Sequence, residues 1–215
     1  MASKSEILAF HREDEIAAQV RDTFQVAMHD DAIARYLARS STYRQFWDVL
    51  IDHYLTPTRS DLNFVIEGTK AAMLARIYPD EKASMWGEIL HTLRLLPHFP
   101  LNKWLAAKKL EDTMVSRKNE FGKEHGRYIY VFLLGTRPEF QGQGLGSALL
   151  QHVNAIADAE GMHCFLESSS EGSRRLYMRH GYVEREVFKA APDAPPMFFM
   201  SRPPSKQLTT AIGAL

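Results

Sequence analysis

The sequence predicts a single domain with a mixed α+β fold, and three observations support this prediction. The chain has 215 residues, of which 45% are hydrophobic, so it can bury one sizeable core. Segments with helical and strand patterns follow in the order helices, hairpin, helices, and then strand, helix, strand, helix, strand, strand. A glycine-rich loop joins the first strand of that second half to a helix, which predicts a parallel strand pair there.

The first part of the chain has two helical patterns after a short candidate strand at residues 7–10. Asp14 is expected to cap the first helix, whose apolar face carries Ile16, Val20, Phe24 and Met28. The spacing Thr42-x-x-Gln45 is that of a capping box, which predicts the start of a second helix. Pro57 ends this second helix, because proline cannot continue the hydrogen-bond pattern.

A hairpin and a longer helical segment are predicted next. Residues 62–67 and 71–77 have strand character and flank Gly68-Thr69, which favours a tight turn. Residues 84–118 are mostly helical in pattern, with an interruption at Pro97 to Pro100. Residues 119–126 are predicted to be a polar loop.

The last part of the chain alternates strands and helices. An apolar strand at 128–134 leads into the glycine-rich loop, and a helix runs from Leu145 past Ile156. The pattern Ser168-x-x-Glu171 predicts a capped helix after the next strand. The remaining predicted elements are the strand 163–168, the helix that ends at Gly181, and the strands 182–188 and 197–202.

The bulk composition narrows the function classes. Lys plus Arg and Asp plus Glu both number 26, so gross charge indicates neither a nucleic-acid partner nor an anionic membrane. The sequence has no run of 18 apolar residues, so it predicts no membrane span, and the first 30 residues lack a signal-peptide pattern. Cys164 is the one cysteine, and its apolar strand favours a core role over a nucleophilic one. These features favour a cytoplasmic protein, and the nine histidines have no metal-ligand spacing.

The segment from Arg137 to Gly146 carries the strongest functional signal. Glycines at 142, 144 and 146 lie between a strand and a helix, where free backbone N–H groups and the helix dipole favour a phosphate. The P-loop pattern is absent, because no Gly-Lys-Ser or Gly-Lys-Thr occurs. The dinucleotide pattern G-x-G-x-x-G also fails, because the glycines stand at alternate positions.

The spacing Gln141-x-x-Gly144-x-Gly146, after a strand and Pro138, resembles the acetyl-CoA loop of the GNAT superfamily of N-acetyltransferases. Residues 163–182 resemble a second motif of that family. The resemblance implies a central mixed, mostly antiparallel twisted sheet with a splayed parallel pair and flanking helices. It implies one domain over residues 1–203 with a helical insert at about 79–118, followed by a loose tail at 204–215. The long insert resembles the small-molecule sub-group that includes the puromycin N-acetyltransferases.

The resemblance also implies which residues bind acetyl-CoA. The backbone N–H groups from Gln141 to Gly146 would hold the pyrophosphate, and Gln143, Ser147 and Arg137 could assist. The strand before the loop would bind the pantetheine arm, with Gly135 permitting an unusual backbone geometry where the strands splay. Ser173 stands where the family often has Asn. The complete predicted set is Leu134, Gly135, Thr136, Gln141, Gly142, Gln143, Gly144, Leu145, Gly146, Ser147, Ser173 and Tyr177.

Acetyl transfer to an amine also needs an acid and a base. By the resemblance, Tyr177 protonates the departing thiolate of coenzyme A. Glu167, at the end of its strand, is the candidate base, with an ion pair or a helix cap as its alternative role. Glu88, His91 and His98 are weaker candidates, and water alone could accept the proton.

The predicted acceptor is the amine of a small molecule, with antibiotics and toxic metabolites as candidate classes, and oligomeric state is not predicted. Its pocket is expected between the early helices, the insert and the sheet, with wall candidates Trp86, Phe99, Trp104 and Phe121. Two alternatives stay open. One is a non-catalytic module that binds acyl-CoA, and the other, which the neutral charge disfavours, is an acetyltransferase acting on aminoacyl-tRNA.

Overall fold

The computed structural model describes residues 6–11, 14–55, 61–79 and 85–205, except for the side chains of residue 67 and residues 85–89. Most of the predicted tail, residues 206–215, lies outside this part. The strands of the described part are β1 (Ile7–Ala9), β2 (Phe64–Ile66), β3 (Ala71–Tyr78), β4 (Tyr128–Thr136), β5 (His163–Ser168), β6 (Val183–Phe188) and β7 (Met197–Arg202). They form one sheet in the order β1-β2-β3-β4-β5-β7-β6. Strands β4 and β5 are parallel and the other neighbours are antiparallel, which confirms the predicted fold class.

Helices cover both faces of this sheet. Their bounds are α1 (Ile16–Ala27), α2 (Ala32–Leu37), α3 (Tyr43–Leu55), α4 (Met85–Leu95), α5 (Trp104–His125), α6 (Leu145–Ala159) and α7 (Glu171–Arg179). Helix α6 packs on one face, and its apolar residues Leu149 and Val153 are fully buried there. Helices α1 and α3 pack on the opposite face, and α2 and α5 continue that layer toward β5 and β7. Among the described residues, no helix combines the length and apolarity needed to cross a bilayer.

The buried side chains alternate between the two faces as expected for strands. In β3, Met73 packs toward α6, whereas Ala72 and Leu74 pack toward α1 and α3. The alternation is interrupted in β4, where Leu74 pairs with Leu133 but Ala75 pairs with Val131. The extra residue is Phe132, and this bulge moves Leu133 to the α1 and α3 face, while Val131 stays on the α6 face.

The predicted polar loop at residues 119–126 is wrong, because α5 continues through His125. Phe121 is only 2% exposed and packs against Tyr128, so one aromatic side chain holds the last turns of the helix to the sheet. Most of the polar residues around Phe121 form the solvated side of α5. The helix ends at Gly126, whose φ of 73° lies in the left-handed region that favours glycine.

The three predicted helix caps are also not formed as expected. Helix α7 is capped by Ser170, whose hydroxyl accepts from the Ser173 N–H, and Ser168 lies two residues too early. Thr42 lies in a short 3₁₀ turn before α3, and its hydroxyl has no partner. The Asp14 carboxylate accepts from the His11 N–H, three residues before it, and among the described residues α1 has no side-chain cap. The hairpin of β2 and β3 is confirmed.

Candidate active site

A gap opens in the sheet where β4 and β5 separate. Their parallel pairing runs from Tyr128 opposite His163 to Val131 opposite Leu166 and then stops. Beyond Val131, strand β4 continues to Thr136 and stays paired with β3. The bulge at Phe132 lies at the point of separation, and bulges bend a strand and increase its twist. The splay predicted around Leu133 to Thr136 is therefore present, and it leaves one edge of β4 open to the gap.

The glycine-rich loop follows directly after this splayed segment. Gly142 and Gly144 have φ values of 75° and 80°, and a Cβ added at either residue would meet no atom within 4 Å. Their backbone conformation therefore calls for glycine, and the space beside them is open to a ligand. Gly144 is the N-cap of α6 and provides no side-chain cap. The N–H groups of the first turn of α6 are thus available to an anion.

Several predicted side-chain donors already have partners within the protein. Gln141 Nε2 donates to the Thr136 carbonyl at 3.3 Å, which ties the loop to the end of β4. The Ser147 hydroxyl lies 3.0 Å from His180 Nε2. Gln143 is exposed. Arg137 Nε donates to the Thr23 hydroxyl at 3.0 Å, so this nitrogen joins β4 to α1 and does not point at the loop.

Gly135 has a packing role that the sequence did not reveal. The expectation of an unusual backbone at the splay is wrong, because its φ is not in the left-handed region. A Cβ at this position would lie 3.0 Å from the Ala27 Cβ and 3.1 Å from a ring carbon of Phe24. Helix α1 therefore approaches β4 so closely that a side chain at residue 135 would have to displace it.

A cavity of about 310 Å³ extends from the gap into the layer formed by α2, α3, α4 and α5. Its lining includes Leu133 and Leu134 of β4, Glu167 at the end of β5, and Ser173 and Tyr177 of α7. The other predicted cofactor residues lie in the loop or strand beside the gap. The position between early helices, insert and sheet is the one predicted for an acceptor pocket.

Tyr177 enters the cavity from the α6 side of the sheet. It packs in the same core cluster as Leu145 and Leu149 and is 7% exposed. Burial, followed by the nearby Glu167 carboxylate, raises the pKa of the Tyr177 phenol above its ordinary value of 10. The phenol therefore keeps its proton at neutral pH.

Glu167 faces the cavity from the opposite side of the sheet. It lies two residues beyond Phe165, which packs in the cluster next to α5, and strand side chains repeat every second residue. Burial raises the pKa of the Glu167 carboxyl from its ordinary value of 4.5 to about 7, against a smaller opposite effect of Lys118. Its Oε1 atom is buried and makes no hydrogen bond of normal geometry among the described residues, although the Tyr130 hydroxyl lies close enough to lower the pKa of the carboxyl. Lys118 is close enough to lower the pKa of this carboxyl, so an ion pair stays an alternative prediction for Glu167.

The other candidate bases are less well placed. The His91 ring lines the cavity and stacks on the His53 ring with 3.9 Å between centroids. Burial, aided by Arg76 and Lys118, lowers the pKa of His53 to about 4, so His53 stays neutral. His98 lies in a short 3₁₀ turn and is not part of the cavity wall. The side chain of Glu88 lies outside the described residues.

The aromatic wall of the cavity is only partly the predicted one. Phe99 and Trp104 line it, whereas Phe121 lies in the core between α5 and the sheet. The side chain of Trp86 lies outside the described part. The other aromatic residues of the wall were not predicted, and they are Phe46, Trp47, Tyr54, Tyr130 and Phe132. Their apolar spacing in helices and strands is the same as that of core residues, so no sequence signal distinguished them.

Cys164 and the histidines give no sign of further chemistry. Cys164 is buried on β5 with its Sγ 3.8 Å from Asn154 Oδ1, and burial raises the pKa of this thiol to about 11. The core role predicted for Cys164 is confirmed. In the described ranges, no cluster of three or more His, Cys, Asp or Glu side chains could hold a metal ion.

Comparison with known protein families found one match. A family model for the acetyltransferase (GNAT) domain matches residues 107–184. This range contains the splayed strand, the glycine-rich loop, Glu167 and Tyr177. A comparison with curated proteins found no match.

Solved structures of low sequence identity share the fold. The structure of "histone acetyltransferase HPA2 and related acetyltransferase" from Corynebacterium glutamicum has a TM-score of 0.64 at 18% identity, covering 96% of this chain and 99% of its own. The structure of arylalkylamine N-acetyltransferase 2 from Aedes aegypti has a TM-score of 0.61 at 9% identity, and the match covers 94% of this chain and 99% of that one. The structure of a polyamine N-acetyltransferase from Drosophila melanogaster has a TM-score of 0.57 at 16% identity, and the match covers 92% of this chain and 100% of that one.

Proposed function

We propose that this chain transfers an acetyl group from acetyl-CoA directly to the amine of a small molecule, because residues 107–184 match a family model for the GNAT acetyltransferase domain. GNAT acetyltransferases are acyltransferases that use acetyl-CoA. The observation that carries the proposal is the cavity, which joins the gap between β4 and β5 to both Tyr177 and Glu167.

The cofactor is proposed to bind along the open edge of β4. Its pyrophosphate meets the N–H groups at the start of α6, where Gly142 and Gly144 allow close approach. Its pantetheine arm lies against the main chain between Leu133 and Thr136, which pairs with none of the described strands on the side of the gap. The thioester then reaches the cavity near Tyr177. Holding it there converts an encounter in solution into a reaction between positioned groups.

Glu167 is proposed to remove the proton from the attacking amine. A carboxyl with a pKa of about 7 is substantially ionised at neutral pH and is a better proton acceptor than an ordinary carboxylate. The amine nitrogen attacks the thioester carbonyl carbon and forms a C–N bond. The carbon–sulfur bond then breaks, and the electron pair leaves with the sulfur.

Tyr177 is proposed to protonate the departing thiolate. The burial that raises the pKa of the phenol also disfavours a thiolate in the same place, so the proton remains exchangeable between the two. The acid comes from the α6 side of the sheet and the base from the α5 side, so the thioester lies between them in the gap. Transfer is direct, because Cys164, the one thiol, is buried in β5.

The acceptor is proposed to be a small amine, in keeping with the resemblance to the puromycin N-acetyltransferase sub-group. A cavity of about 310 Å³ is at the small end of the range for small-molecule sites. Antibiotics and toxic metabolites that carry a free amine fit this description.

A screen of small amines with acetyl-CoA tests the proposal. Release of free coenzyme A should depend on the amine, and mass spectrometry should find the acetylated amine in equal amount. The alternative, a non-catalytic module, predicts acetyl-CoA binding without amine-dependent release. A variant such as Tyr177→Phe that matches the wild-type rate at saturating substrates would remove Tyr177 from the mechanism.

A further inference from the structure

We propose that the acceptor is a monoamine with an apolar or aromatic body, and that its nitrogen is held between the Tyr130 hydroxyl and the Glu167 carboxylate. This inference rests on the proposed acetyl transfer and adds the class of acceptor and Tyr130 as an acceptor-binding residue. It follows from two unsatisfied polar atoms and from the nature of the cavity wall.

The two polar atoms lie on neighbouring strands and on one face of the sheet. Tyr130 of β4 is opposite Phe165 of β5, and Glu167 lies two residues farther along β5. Side chains two residues apart on a strand share a face, so Tyr130 and Glu167 are diagonal neighbours. Both line the cavity. The diagonal pair therefore stands where β4 and β5 begin to separate.

Both atoms are buried, and neither has a well-formed hydrogen bond to another described residue. Tyr130 is 1% exposed, and neither its hydroxyl oxygen nor Glu167 Oε1 makes a hydrogen bond of normal geometry among the described residues. The two groups lie close enough for the Tyr130 hydroxyl to lower the pKa of Glu167, so one nitrogen placed between them reaches both oxygens. Buried polar atoms are normally paired, so such exceptions call for an explanation. An amine nitrogen has several N–H donors and satisfies both oxygens at once. A neutral apolar ligand would leave both unsatisfied.

The rest of the wall suits an apolar body. The Tyr54 ring stacks on Phe132, and Phe46 and Phe99 meet edge to face with 5.7 Å between centroids. Trp104, 42% exposed, extends this aromatic surface toward solvent. A ring or aliphatic chain placed here gains stabilisation from burial and from aromatic contact.

A second ammonium group would find poor partners in the same cavity. The carboxylate of Asp31 already has hydrogen-bond donors within the protein, because its two oxygens accept from the Ala34 N–H and from the Ser169 hydroxyl. Lys108 and Lys118 add positive charge to the wall. Glu111 lies at the exposed rim of the cavity. A short diamine would therefore place its second ammonium either beside Asp31, whose two oxygens already accept from other donors, or at the exposed rim near Glu111. Both arrangements gain less than an apolar body gains from burial against the aromatic wall.

The test compares 2-phenylethylamine with 1,4-diaminobutane at saturating acetyl-CoA, scored by coenzyme A release. The inference predicts a kcat/KM about 10-fold or more higher for the aromatic amine. Equal or better use of the diamine would overturn it. If neither amine gives release, calorimetry on the protein saturated with coenzyme A compares their binding, and tighter binding of the diamine overturns the inference equally. Failure of every amine in the wider screen, by contrast, defeats the proposed function itself.

Two variants test the parts of the argument. Tyr130→Phe keeps the ring and removes the hydroxyl, so KM for 2-phenylethylamine should rise about 10-fold while KM for acetyl-CoA stays unchanged. Trp104→Glu places a carboxylate on the wall at the start of α5, and its matched control is Trp104→Gln. The Glu variant should shift the ratio of kcat/KM values toward the diamine relative to the Gln variant. An unchanged amine KM in Tyr130→Phe would remove that hydroxyl from the site.

Discussion

The replacement Glu167→Gln should weaken catalysis and stabilise the fold, and the stabilisation should depend on pH. Burial raises the pKa of this carboxyl from 4.5 to about 7, so the folded protein binds its proton more tightly than the unfolded chain. The folded state therefore has its full stability from this group below pH 4.5 and loses it as pH rises through about 7. One pKa unit corresponds to about 1.4 kcal/mol, so the loss is about 3 kcal/mol.

Urea unfolding of wild type and Glu167→Gln at pH 4, 5.5, 7 and 8.5 measures this effect. The difference in the free energy of unfolding should be small at pH 4 and grow to about 3 kcal/mol in favour of the variant at pH 8.5. A total stability of roughly 5–15 kcal/mol makes this difference easy to resolve. The matched control is Glu160→Gln, because that carboxyl is exposed.

The same variant should lose turnover by about 100-fold or more if Glu167 is the base. A difference in unfolding free energy that does not change with pH would refute the argument that burial perturbs this carboxyl. If the variant is more stable at high pH but has normal turnover, burial does raise the pKa of Glu167, but Glu167 is not the base.

Three other predictions follow from the site. Wild-type kcat/KM should rise as pH increases through about 7, and Glu167→Gln should lack that step; an identical profile in both proteins would contradict the assignment. Tyr177→Phe should lower kcat about 10-fold or more with little change in acetyl-CoA binding, measured by steady-state kinetics and calorimetry. Gly135→Ala should lower the free energy of unfolding in urea by about 1–3 kcal/mol, because the added Cβ would lie 3.0 Å from α1. Gly146→Ala is the control and should not do so, because the nearest atom to its Cβ would be at 3.5 Å; equal effects of the two replacements would refute the packing role of Gly135.

The fold and the cofactor-side elements were predictable because local patterns encode them. The strand, the loop glycines and the helix from Leu145 are adjacent in sequence, so their spacing predicted the open start of α6. The separation of β4 from β5 was implied by the resemblance to the GNAT family. The positions of Glu167 and Tyr177 followed from the strand and helix that carry them. Their catalytic roles remain predictions.

The features that the sequence did not reveal depend on contacts between distant residues. The role of Gly135 depends on α1, more than 100 residues earlier in the chain, and Arg137 binds Thr23 of the same helix. The last turns of α5 are polar apart from Phe121, so nothing local indicated a helix. Tyr130 has the pattern of a plain core residue, and only its buried hydroxyl, which makes no hydrogen bond of normal geometry among the described residues, identifies it as a candidate binding group.

Calorimetric titration with acetyl-CoA measures whether the start of α6 and the gap beside β4 hold an acylated coenzyme A. S-acetyl-4′-phosphopantetheine and S-acetylpantetheine both keep the thioester and lack the adenosine, and they differ by one phosphate, so this pair isolates the contribution of the anion. We expect one acetyl-CoA to bind per chain, and the thioester that carries the phosphate to bind about 10-fold or more tightly than S-acetylpantetheine, because only the phosphate meets the loop amides. Absence of acetyl-CoA binding, or equal affinity for the two truncated thioesters, would contradict this expectation.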